Sequence, residues 1–214
     1  MEHVCGRPLG LRFDKNTGDL YIADAYFGLQ VVGPSGGLAT QLVAEVEGHP
    51  LLFTNDMDID EDKDVIYFTD TSTSFHRRIL RLWLDGPNAG NFEVFADLPG
   101  FVDNIRRNSK GEFWVALHAK KGLLQNWAVS NPLVGKALLK LPLSFKKLHY
   151  LLVGGKPHGG RKATCNCNKI HGLGQSNLDM LEDSEGKSMM FTSEVVEENG
   201  RYVVAFLDIC NLNS

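Results

Sequence analysis

The chain lacks long hydrophobic runs, basic tracts and all but four cysteines. No stretch reaches the about 18 apolar residues that a membrane-spanning helix needs, so no transmembrane segment is expected. Lys and Arg total 22 against 26 Asp and Glu, a net charge of -4 without any clustered positive run. A phosphate backbone therefore has no electrostatic footprint to bind, and nucleic acid is excluded as a partner. Hydrophobic side chains at 43% and charged ones at 22% exclude disorder, collagen and coiled coil. Met1-Glu-His-Val-Cys5 has neither a basic nor an apolar leader region, so the chain as written is expected in the cytoplasm. Cys165 and Cys167 lie near His158 and His171, but their Cys-x-Cys spacing lacks the second pair that a zinc site requires.

Glycine is plentiful, 22 in 214 residues, and it separates short apolar runs. Residues 9–14, 19–24, 28–32 and 38–43 read as four strands joined by Lys15-Asn-Thr-Gly18 and Pro34-Ser-Gly-Gly37, both rich in turn formers. Asp19-Leu-Tyr-Ile-Ala-Asp24 is then echoed by Asp64-Val-Ile-Tyr-Phe-Thr-Asp70, Gly111-Glu-Phe-Trp-Val-Ala116 and Gly200-Arg-Tyr-Val-Val-Ala205. The aligned aromatics Tyr21, Tyr67, Trp114 and Tyr202 are separated by 46, 47 and 88 residues. A four-strand cassette with a period of about 45 residues is the pattern of a β-propeller blade. The fold class is therefore all-β.

Polar residues concentrate in the strand ahead of each echo, in Asn55-Asp-Met-Asp-Ile-Asp60 and Val102-Asp-Asn-Ile-Arg-Arg107. In a propeller the innermost strands line the axis, so these side chains converge there. Such oxygen donors suit Ca²⁺, which takes about six to eight oxygen ligands. Asn and Asp also initiate turns, so the pattern has a purely structural alternative.

Cys5-Gly-Arg-Pro-Leu-Gly-Leu-Arg-Phe-Asp14, Phe53-Thr-Asn-Asp-Met-Asp-Ile-Asp60, Tyr67-Phe-Thr-Asp-Thr-Ser72 and Asp103-Asn-Ile-Arg-Arg107 closely resemble plant strictosidine synthase-like proteins, relatives of the adipocyte plasma membrane-associated protein. The resemblance implies a six-bladed propeller related to paraoxonases and gluconolactonases, and a secretory route to the endoplasmic reticulum or vacuole. It further implies that Asn55, Asp103 and Asn104 match ion-coordinating positions. The family's catalytic glutamate falls at Ser193, with Glu194 one place away, and Glu194 is taken as the candidate general acid and base. The histidine of some hydrolases in this group is replaced by Leu9. The family's partner for the motif cysteine has no counterpart, so Cys5 is expected as a free thiol.

Against the family pattern, three departures stand out. The segment before Cys5 is short, a stretch between His76-Arg-Arg78 and Ile79 is missing, and residues 159–180 replace a strand pair. The expected organisation is one incomplete propeller over 1–214, with blades at 5–50, 51–98 (a hybrid of two family blades), 99–120 plus an insert at 121–180, and a partial blade at 181–214. Three to four blades are expected, without ring closure. In the insert, Lys136 to Leu152 is apolar with interspersed lysines, and Pro142 interrupts any membrane-surface helix. Three functions are compatible with these residues: amine–aldehyde condensation, calcium-dependent ester or lactone hydrolysis, or a non-catalytic shortened product associating through exposed strand edges.

Overall fold

A computed structural model describes residues 2–71, 78–98, 100–120, 166–170, 178–182 and 192–206. A short helix, α1 (Glu2–Cys5), precedes a four-stranded antiparallel sheet of β1 (Pro8–Phe13), β2 (Leu20–Asp24), β3 (Gly28–Val32) and β4 (Thr40–Val43). A small hairpin, β5 (Glu45–Val46) and β6 (His49–Pro50), leads to the second sheet. That sheet contains β7 (Thr54–Asp60), β8 (Val65–Asp70), β9 (Arg78–Trp83) and β10 (Phe92–Asp97) in consecutive order. The third sheet is β11 (Gly100–Arg107), β12 (Phe113–Lys120), β13 (Asn166–Ile170) and β14 (Leu178–Glu182). A two-stranded sheet follows, β15 (Thr192–Glu198) and β16 (Arg201–Phe206).

Local chemistry sets the turns. The Asp14 carboxylate accepts hydrogen bonds from the Asn16 and Thr17 amides at 2.7 and 3.3 Å, closing the turn after β1. Asn108 does the same after β11, accepting from Lys110 and Glu112 at 3.0 Å each. Asp24 holds the next corner through the amides of Tyr26 and Phe27.

The innermost strands adjoin one another in order, β1 beside β7, β7 beside β11 and β11 beside β15. Each sheet stacks its face on the next. Tyr21, Ala23 and Leu29 of the first sheet pack against Ile59, Ile66, Phe68 and Leu80 of the second. On the other face of that sheet, Val65, Tyr67 and Phe95 pack against Ile105, Phe113 and Val115 of the third, with the Tyr67 and Phe113 rings 4.3 Å apart. Because β8 lies between two sheets, all six of its residues are buried, and strand alternation serves two cores at once. Trp114 and Val195 join the third sheet to the fourth. The result is a partial β-propeller whose described sheets form an arc and not a closed ring.

Two expectations need correction. Part of the stretch read as an insert, 121–180, supplies strands: β13 pairs with β12 from Phe113↔Ile170 to Leu117↔Asn166, and β14 pairs with β13. Its Asn and Lys residues have low strand propensity, but the open β12 edge provides the backbone ladder that propensity does not. Tyr202 is also one residue out of phase with the other aromatics. Arg12, Asp58 and Arg106 stand opposite Tyr21, Tyr67 and Trp114, while the corresponding pair in the fourth sheet is Val196↔Val203. Tyr202 lies on the other face, its ring 5.3 Å from Trp114. A one-residue slip reverses faces in a strand.

Cys5 is exposed and free. Cys167 lies within β13, whereas Cys165, His158 and His171 lie outside the described residues, as does Lys136 to Leu152. Among the described residues, no helix is long and apolar enough to cross a membrane.

Candidate functional site at the propeller axis

Each innermost strand breaks register near its start. The shifts fall between Pro8 and Gly10, Thr54 and Met57, Val102 and Ile105, and Thr192 and Glu194. Such bulges release a residue from the ladder and re-aim its side chain. Leu9, Asn55, Asp103 and Ser193 thus occupy equivalent places in four successive strands, each three residues before Arg12, Asp58, Arg106 or Val196. Of the positions named from the sequence, Leu9, Asn55, Asp103, Asn104 and Ser193 lie in these bulges, whereas Glu194 is back in the ladder opposite Ala205.

The structure brings Asn55 and Asp103 together across the second and third sheets. The Asn55 Nδ2 donates to Asp103 Oδ1 at 2.6 Å, although the two residues are 48 apart in sequence. The Thr69 hydroxyl donates to the Asp103 carbonyl and the Thr71 hydroxyl to the Val102 carbonyl, both at 3.0 Å, fixing the β11 bulge against β8. Asn104 follows within the same bulge and is half-buried.

The place after each of these carries a different chemistry. Gly10, Asp56, Asn104 and Glu194 are equivalent there, and two of them are carboxylates committed to arginine. Asp56 is 2% exposed and receives Arg106 Nη1 on Oδ2, together with the Ile105 amide at 3.0 Å. Arg12 approaches Asp56 at 3.9 Å and Asp58 at 3.4 Å. The Nε of Arg106 reaches Glu194. Burial pushes the Asp56 carboxyl above its usual range, with Arg106, Arg12 and the Ile105 amide pulling in the opposite direction. The chain Arg12, Asp56, Arg106, Glu194 therefore links all four sheets at the hub.

Glu194 occupies the same place as Asp56 and has the same kind of partner. Its geometry is that of a hub ion pair. The pairing of Asp56 with Arg12 and Arg106 escaped the sequence reading because the partners lie in different repeats. Arg106 and Asp56, for instance, are separated by 50 residues.

A metal at Asn55, Asp103 and Asn104 would have only oxygen ligands, as a hard cation requires. No group of three or more His, Cys, Asp or Glu residues able to hold a metal occurs among the described residues. One carboxylate and two amides therefore fit Ca²⁺ in kind and leave most of its coordination to water, main chain and substrate. At the opposite end of the inner strands, a cleft of about 290 Å³ is lined by Lys15, Asp58, Glu61 and Arg107. Its charges are already matched, Lys15 with Glu61 at 3.1 Å and Arg107 with Asp60 at 3.0 Å.

Antiparallel four-stranded sheets stacked about adjoining inner strands define the class as a β-propeller, present here as an arc. No family model matches the chain. It nevertheless belongs to the strictosidine synthase-like family. It is 46% identical to strictosidine synthase-like 10 of Arabidopsis thaliana, over 99% of this chain and 71% of that protein. It is 38% identical to strictosidine synthase-like 1 from the same plant, over 94% of this chain and 64% of the relative. The first alignment runs over 273 residues against a chain of 214, so the relative contains internal residues that this chain skips. Among solved structures, a gluconolactonase from Xanthomonas campestris is 12% identical, covering 92% of this chain and 60% of that one, with a TM-score of 0.49. At that level the likeness carries nothing about the site.

Proposed function

We propose that the axial bulges form a calcium-dependent site for ester or lactone hydrolysis of the paraoxonase-like type, acting on a small-molecule substrate within a strictosidine synthase-like scaffold. The observation that carries this is the meeting of Asn55 and Asp103 at 2.6 Å, in equivalent bulges of adjacent strands. Asn55, Asp103 and Asn104 would hold the ion, which when bound polarises a carbonyl and favours attack by water. Amine–aldehyde condensation is less well supported, because it needs a carboxylate free to exchange a proton. Glu194 is instead paired with Arg106. For the longer family form, the proposed compartment is the endoplasmic reticulum or vacuole.

The test is hydrolysis of phenyl acetate and a simple lactone by the purified chain, in calcium and after chelation. The calcium-dependent rate should disappear in Asn55→Ala and Asp103→Ala and survive in Glu194→Gln. Equal rates with and without calcium would overturn the proposal. A second reading, a non-catalytic shortened product that associates through open sheet surfaces, is favoured by the exposed apolar face of the first sheet.

A further inference from the structure

The bulges that carry Asn55 and Asp103 belong to different sheets, and one buried hydroxyl touches both. Thr69 stands in β8, two places beyond Tyr67, and is fully buried. Its Oγ1 accepts the Asp56 amide at 3.2 Å, within the stretch where β7 leaves register with β8. The same hydroxyl donates to the Asp103 carbonyl at 3.0 Å, within the corresponding stretch of β11. A hydroxyl has one proton and two lone pairs, so both bonds form at once. The Asp56 carbonyl, at 3.3 Å, is the longer of the two destinations for that proton.

These two bonds act on the backbone that carries the candidate ligands. The Asp56 amide belongs to the peptide plane that begins at the Asn55 Cα, and the Asp103 carbonyl to the plane that begins at the Asp103 Cα. One oxygen therefore holds the planes on which both side chains are mounted.

Comparison between the sheets sets this residue apart. The places two beyond Tyr21, Trp114 and Val203 hold Ala23, Ala116 and Ala205. Ala23 and Ala116 are fully buried, so two other sheets pass through this place with a methyl group alone. Threonine thus stands at one of four equivalent places, beside the joint where Asn55 meets Asp103 at 2.6 Å.

We propose that Thr69 is a positioning residue for the axial site, its hydroxyl tying the bulges of β7 and β11 together and setting the separation of Asn55 and Asp103. Contacts of this kind, one step removed from a metal, orient its ligands and are worth about 10- to 100-fold in metal affinity. The part played in calcium binding rests on the hydrolase reading above; the joining of Asn55 to Asp103 does not.

Two variants of the full chain test it. Thr69→Ser keeps the hydroxyl, and Thr69→Ala, the residue the other sheets use, removes it, so the difference between them isolates the hydrogen bonds from the lost methyl. A double-mutant cycle of Asn55→Ala and Asp103→Ala in urea denaturation measures the coupling of that pair without any metal. Coupling should be present in wild type and in Thr69→Ser, and absent in Thr69→Ala. Isothermal titration with calcium should give Thr69→Ser an affinity near that of wild type and Thr69→Ala one about 10- to 100-fold weaker, with circular dichroism unchanged. Equal coupling in the two variants, or none in wild type, would overturn the proposal, as would equal calcium affinity in the two variants. A wild type that binds no calcium contradicts the hydrolase reading alone, and the coupling then decides whether Thr69 ties the bulges.

Discussion

At the residue scale, the hub depends most on Asp56. Removing a buried acceptor leaves its donor unsatisfied and costs roughly 1–3 kcal/mol. Asp56→Ala should lose stability of that order in urea denaturation, because it leaves the Ile105 amide unpaired and Arg106 with Glu194 as its carboxylate partner. The pH dependence has a definite sign. Burial raises the Asp56 carboxyl above 3.8, so the folded chain holds this proton more tightly than the unfolded one. The stability it contributes is fully present below 3.8 and is lost as pH rises through the elevated value. Wild type should therefore lose stability relative to Asp56→Asn across that interval, and wild type gaining stability relative to the variant as pH rises would contradict the assignment. The sequence made Asn55, Asp103 and Asn104 legible because they recur at the head of repeated strands. It could not show Arg12 and Arg106 as their neighbours' partners, since an ion pair between repeats depends on how the sheets stack.

At the element scale, the four bulges are the features that place the site, and they were invisible in the sequence. A bulge is a relation between two strands, and no composition marks it. The same limit put Tyr202 in line with Trp114 when Val203 is the residue in register. It also concealed β13, whose polar residues are held as a strand by the β12 edge. The strands of the first two sheets, by contrast, were readable almost to the residue, because their apolar runs end in Asp, Asn and Gly turns. Gly10 shows how tightly the first bulge is packed. A Cβ there would lie 2.8 Å from the Asp56 Cα and 3.0 Å from the Asn55 carbonyl oxygen. Gly10→Val should cost roughly 1–3 kcal/mol through overpacking. For a chain of this size, that lowers the melting temperature by about 2–4 °C per kcal/mol, readable by calorimetry. An unchanged melting temperature would mean that β1 and β7 do not approach as described.

At the scale of the whole molecule, the chain shows how a propeller tolerates being shortened. A sheet that stacks face to face needs the right front and back, and the second sheet has both. The proposed calcium site at the axis depends on that stacking as well, since Asn55 and Asp103 meet only when the second and third sheets are packed. Calcium binding therefore reports the site and the fold together. The most direct test is isothermal titration of the full chain with calcium, alongside Asp103→Ala. One ion per chain, lost in the variant while its circular dichroism is unchanged, is the predicted result. No binding to the folded wild type, or equal binding to both, would contradict it.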